Sequence, residues 1–107
     1  MGNLADKANS LVGLSRGEYQ CNQVVNQIFY DRKNSGKLAK DYLTWGVSTF
    51  VPAEGVVVVG NDGVHVGVFV NENEFIHSSL RMQQVIRVNK EQLPFVFPQG
   101  YSLRKQQ

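Results

Sequence analysis

The chain has 107 residues, 42% hydrophobic and 10% aromatic, with a formal charge of +2. That length is one domain spanning residues 1–107 with room for a single core, and the apolar content excludes a disordered chain. The mild, scattered charge argues against nucleic-acid binding, and the longest apolar run, Val56–Val59, is far too short to insert in a membrane.

Apolar positions Leu4, Ala8, Leu11 and Val12 fall close to helical spacing and predict a first helix within Asn3–Leu14. The start of the chain lacks the basic and apolar run of a secretory signal. The expectation is therefore a protein made in the cytoplasm and, if it acts outside, exported by a non-Sec route. Gly13 and Gly17 bracket a loop leading to Tyr19-Gln20-Cys21. From Cys21 onward Val24, Val25, Ile28 and Phe29 form one stripe of a second helix, with Asn22, Gln23, Asn26 and Gln27 opposite. Asp31–Gly36 reads as a polar turn and Lys37–Tyr42 as another short helix.

After Trp45-Gly46 the period changes. Val56–Val59 is a β-branched strand ended by the turn residues Gly60-Asn61-Asp62-Gly63. Val64–Val70 forms a second strand, Glu74–His77 a third and Gln84–Val88 a fourth. Pro94 and Pro98 limit regular structure, and Tyr101–Leu103 reads as an edge strand. The fold class is α+β, with N-terminal helices packed on an antiparallel meander.

Chemistry concentrates on three residues. Cys21 is the only cysteine, so no intramolecular disulfide forms, and His65 and His77 are the only histidines. A cysteine at a helix N-terminus has free N–H groups beside it, which favour thiolate and can donate to an oxyanion. Strand alternation puts His65, Gly67 and Phe69 on one face and the valines on the other. A tight turn at Asn71–Asn73 pairs Phe69 with Phe75, placing His65 opposite residue 79 and His77 one diagonal step away. That spacing puts the two imidazoles within reach of a hydrogen bond, through which His77 could orient His65. One consistent arrangement lays the Cys21 helix against the sheet where its first turn meets His65. Spacing alone leaves two readings open: a nucleophile with its base, or a buried small hydrophobe beside hydrogen-bonded structural histidines. Neither His-x-x-x-His nor Cys-x-x-Cys spacing is present, so no metal or cofactor is expected.

The segments Pro52–Val59, Val64–Val70 and Glu74–Ser79, with Tyr19-Gln20-Cys21 ahead of a striped helix, resemble the NlpC/P60 family. That family reads a proline-glycine-led strand, His-Val-Gly-Ile-Tyr, a turn, then Ile-His-Ala or Ile-His-Ser. The resemblance covers Tyr19 to Val88 and is most specific from Gly55 to Ser79. It departs at the nucleophile, where Gln20-Cys21-Asn22-Gln23 replaces Asp-Cys-Ser-Gly, at Val56, where an aspartate is usual, and ahead of Cys21, where a Trp-Gly-Gly-type segment is missing.

The resemblance implies a papain-like cysteine peptidase fold cleaving bacterial peptidoglycan stem peptides. Cys21 would be nucleophile, His65 base and His77 the orienting third residue, with Tyr19 and Gln20 at the substrate. Small members of this kind resemble amidase effectors injected through type VI secretion, which implies a possible immunity protein as partner. The alternatives are a phage or housekeeping wall hydrolase, a same-fold acyltransferase or deamidase, and a non-catalytic binding module with Cys21 buried.

Overall fold

A computed structural model describes residues 3–107; Met1 and Gly2, part of the stretch read for a signal, lie outside the described residues. Helix α1 spans Asn3–Ser10 and α2 spans Cys21–Tyr30, followed by a 3-10 helix at Ala39–Thr44. The strands are β1 Val47–Thr49, β2 Val57–Gly60, β3 Val66–Phe69, β4 Glu74–Ser79, β5 Gln84–Asn89 and β6 Tyr101–Lys105. A short helix, α3, occupies Leu93–Val96. The molecule is α+β, with one six-stranded sheet in the order β1-β6-β2-β3-β4-β5 and every pairing antiparallel.

The meander from β2 to β5 follows the expected plan, with β5 at one edge, but the other edge changes. The C-terminal strand is not an edge. It lies between β1 and β2, pairing Leu103 with Val58 on one side and with Thr49 on the other. The edge on that side is β1, three residues with no readable period. Pro94 does not prevent a helix, because it falls in the first turn of α3, where no N–H is needed.

Cross-strand register sorts the sheet into two faces. Val57, Val59, Val66 and Val68 share one face, which α1, α2 and the 3-10 helix cover through Ala8, Val24, Val25, Ile28 and Tyr42. The other face carries Val58, Phe69 and Phe75 and packs under Leu93 and Phe97. Both faces bury apolar side chains, which is why β2 and β3 are buried at every position.

On the helical side the polar stripe of α2 is not simply solvated. Asn26 is buried; its amide donates to the carbonyls of Lys33 and Lys37, and its oxygen accepts the Tyr42 hydroxyl. Asn22 donates to the same Lys37 carbonyl at 3.0 Å. These amides clamp the loop after α2, giving Asn22 a structural role in the segment that departs from the family pattern.

Candidate active site

His65 lies immediately before β3, held by the turn that precedes it. Gly63 has φ 73°, and its N–H reaches Gly60 O at 2.8 Å, while Gly60 N–H donates to His65 O at 2.9 Å. Asp62 closes the turn by accepting Val64 N–H at 3.1 Å. His77 sits inside β4. Its position follows from the next turn, where Asn71 Oδ1 accepts the N–H groups of Asn73 and Glu74, each at 2.8 Å. Those bonds fix Phe69 opposite Phe75 and Gly67 opposite His77, the register expected from the sequence. Gly67 keeps the strands close: a Cβ there would lie 2.8 Å from the Ile76 carbonyl oxygen and 3.2 Å from His77 Cβ.

The result is the expected histidine pair. His65 Nε2 and His77 Nδ1 stand 2.9 Å apart with the rings almost perpendicular, at 89°. Phe97 packs over His65 with ring centroids 5.5 Å apart, and Phe75 flanks His77 at 5.6 Å. Burial in this apolar setting lowers His65 to about 4 and His77 to about 3, with the Arg16 charge adding to both and His65 also acting on His77. Both rings are therefore neutral at pH 7. His77 Nε2 is buried without a partner among the described residues.

Cys21 opens α2, as expected, after an extended Gln20 (φ −78°, ψ 172°) whose N–H donates to Gln23 Oε1 at 2.9 Å. Its surroundings differ from the expectation in two respects. First, α2 covers the valine face, so Cys21 packs with Val25, Ala39, Tyr42 and Val66, whereas both imidazoles face the opposite side. The thiol meets the histidine segment just ahead of β3, where Sγ donates to Val64 O at 3.6 Å. Second, the thiol pKa is raised, not lowered. Burial outweighs the Arg16 charge and the backbone N–H groups of Val66, Asn22 and Cys21, which pull it down.

A cleft of about 650 Å³ opens on the histidine face. His65, His77 and Ser79 line it, together with Arg16, Asp62 and Val64; Cys21, Tyr19 and Gln20 do not. Tyr19 instead packs against the helical core with Lys33 Nζ 5.0 Å from its ring centroid, and its carbonyl accepts the Ser78 hydroxyl. The structure thus brings His65 and His77 into contact, sets Cys21 against the backbone beside them, and leaves Tyr19 and Gln20 outside the cleft.

No protein-family model matches the chain, and no curated protein matches it. The site rests on its own geometry.

Sequence reasoning missed Arg16. Its Nη1 donates to the Ser78 carbonyl at the end of β4, and its charge bears on Cys21, His65 and His77 alike. Residues 13–16 reach that position by pairing with β5: Gly13 N–H to Val85 O, Val85 N–H to Leu14 O, and a bridge from Ser15 to Gln84. Nothing local in Leu14-Ser15-Arg16 signals such a contact. Among the described residues, no group of three or more His, Cys, Asp or Glu side chains converges as a metal site would require.

Proposed function

We propose that the protein is a cysteine endopeptidase or amidase of papain-like, NlpC/P60-type architecture, acting on peptidoglycan stem peptides or their cross-links. One observation carries this reading: a neutral imidazole pair, 2.9 Å apart, at the strand end where the helix-opening Cys21 sulfur touches the Val64 carbonyl. With His65 Nε2–H donating to His77 Nδ1, His65 Nδ1 is left with a lone pair. A neutral ring is the form a general base requires at pH 7.

In this mechanism substrate binding turns the thiol away from Val64 O and toward His65 Nδ1. The thiol proton passes to that nitrogen as sulfur attacks the scissile carbonyl carbon. The first-turn N–H groups of α2, beginning with that of Cys21, donate to the oxyanion. Collapse breaks the C–N bond, and His65 returns its proton to the leaving amine. Water then hydrolyses the thioester with His65 again as base. The Arg16 charge favours thiolate over thiol while disfavouring imidazolium, so it helps the attack and hastens proton return. The setting proposed for this activity is interbacterial, acting on a rival's wall, with an immunity protein as inhibitor.

A second reading has one observation in its favour. The thiol is buried, protonated and already hydrogen-bonded, as a structural cysteine would be, and the chain would then be a binding module. Incubation with purified peptidoglycan separates the two. The enzyme reading expects wild-type protein to release fragments with new amino and carboxyl ends, and Cys21→Ala to release none while keeping its circular dichroism spectrum. Wild-type protein that releases nothing supports the binding module.

A further inference from the structure

The cleft over the histidine pair combines a polar floor with a largely apolar wall. Its floor holds His65 and His77, but Leu80, Met82, Ile86, Phe95 and Phe97 supply much of its wall. Three of these are large apolar side chains held out toward solvent: Leu80 is 69% exposed, Met82 55% and Phe95 79%. A rim of this kind around a concave apolar space is the usual mark of a ligand or contact site. A volume of about 650 Å³ accommodates a small organic molecule.

The charges are as informative as the apolar wall. Arg16 and Arg81 both line the cleft, and among the described residues neither is paired with a carboxylate. Asp62 is the acidic residue of the lining, and its Oδ1 is engaged by the Val64 N–H. Arg16 commits Nη1 to the Ser78 carbonyl and hydroxyl, which fixes the guanidinium while Nε and Nη2 make no hydrogen bond among the described residues. A fixed guanidinium with free N–H groups suits a carboxylate.

We infer that this cleft binds a small amphipathic anion, an apolar body with a carboxylate that reaches Arg16 and Arg81. Two sources share that chemistry: an aliphatic carboxylic acid, or a peptide C-terminus bearing a large apolar residue. The inference does not rest on the amidase reading, because binding is measured without turnover.

The test titrates the full chain, with Cys21→Ala protein in parallel, with decanoate below its micellar range and with N-acetylphenylalanine. Amide chemical shifts are followed by NMR, with decanol and acetate as single-feature controls. Saturable shifts at residues 77–82 and 92–99 are expected with at least one anion, whichever binds more tightly naming the source. Decanol and acetate should each bind at least about tenfold more weakly, since neither carries both features. Phe95→Ser and the double variant Arg16→Gln/Arg81→Gln should each weaken the better anion by a similar factor. Phe95 is exposed, so its replacement leaves the fold intact and isolates the cleft wall. Absence of saturable binding by both anions overturns the inference. So does binding that both variants leave unchanged, or that decanol reproduces in full.

Discussion

The two faces of the sheet are covered by different means, and the difference divides structure from chemistry. The helical face is closed by three N-terminal elements; its polar groups, Asn26 and Tyr42, satisfy one another. The opposite face is covered by the short α3 segment and Phe97; among the described residues, the cleft left there has an imidazole nitrogen without a partner and two arginines that no carboxylate pairs. A domain this small cannot leave a whole sheet face uncovered, yet a closed one would have no site. Here one face supplies the stability and the other the opening. The thiol belongs to the first and the imidazoles to the second, and they meet at Val64–His65.

Substitutions on the two faces should therefore fail in different ways. The largest expected effect is on activity from the open face. If the proposed amidase reading holds, His65→Ala removes the proposed base, and the loss of stem-peptide cleavage should reach about 10²–10⁴-fold, the usual worth of general base catalysis. His77→Ala, which removes only the proposed orienting partner, should retain more activity, read as kcat/KM on a soluble stem peptide. The reverse order would exchange the two roles.

Stability responds next. Tyr42→Phe leaves Asn26 Oδ1 without its donor and should cost about 1–3 kcal/mol in urea denaturation, with cleft binding unchanged. Gly67→Ala forces a Cβ against the Ile76 carbonyl and His77; overpacking of this kind costs about 1–3 kcal/mol. Unlike Tyr42→Phe, it should also disturb the His65–His77 pair, seen in the imidazole ¹⁵N shifts. Equal effects of both on the imidazoles would erase the distinction between the faces.

Acid sharpens the comparison more gently. Both histidines have folded-state pKa values below the ordinary 6.5, so the unfolded chain binds more protons as pH falls. Their contribution is complete above about pH 6.5. It is lost progressively down to about 4 for His65 and about 3 for His77, at up to about 1.4 kcal/mol per pH unit for each group. The melting temperature of wild type should fall across that window, and His77→Gln should flatten the fall. An unchanged slope would mean that His77 is accessible and protonated in the folded state.

How much of this was legible in the sequence depends on the range of the contact. The start of α2 at Cys21 followed from its apolar stripe, and the β2–β5 meander and the approach of His65 to His77 from alternation and the Asn71 turn, because short turns transmit register locally. The placement of β6 inside the sheet did not, since it depends on a pairing with β1 about 56 residues away. Arg16 reached the histidines by the same kind of long-range pairing, with β5. The thiol's raised pKa was hidden because the helix-terminus argument treats Cys21 as open to solvent, whereas packing with Tyr42 and Val66 buries it.

The central claim is that a thiol on one face and an imidazole on the other act as a single catalytic unit. A double-variant cycle tests it most directly, using cleavage of a soluble stem peptide by wild type, Cys21→Ala, His65→Ala and the combined variant. Residues that act as one unit lose their activity together, so the combined variant should be no slower than the slower single one. A Cys21→Ala protein as active as wild type, or losses that multiply in the combined variant, would contradict the account.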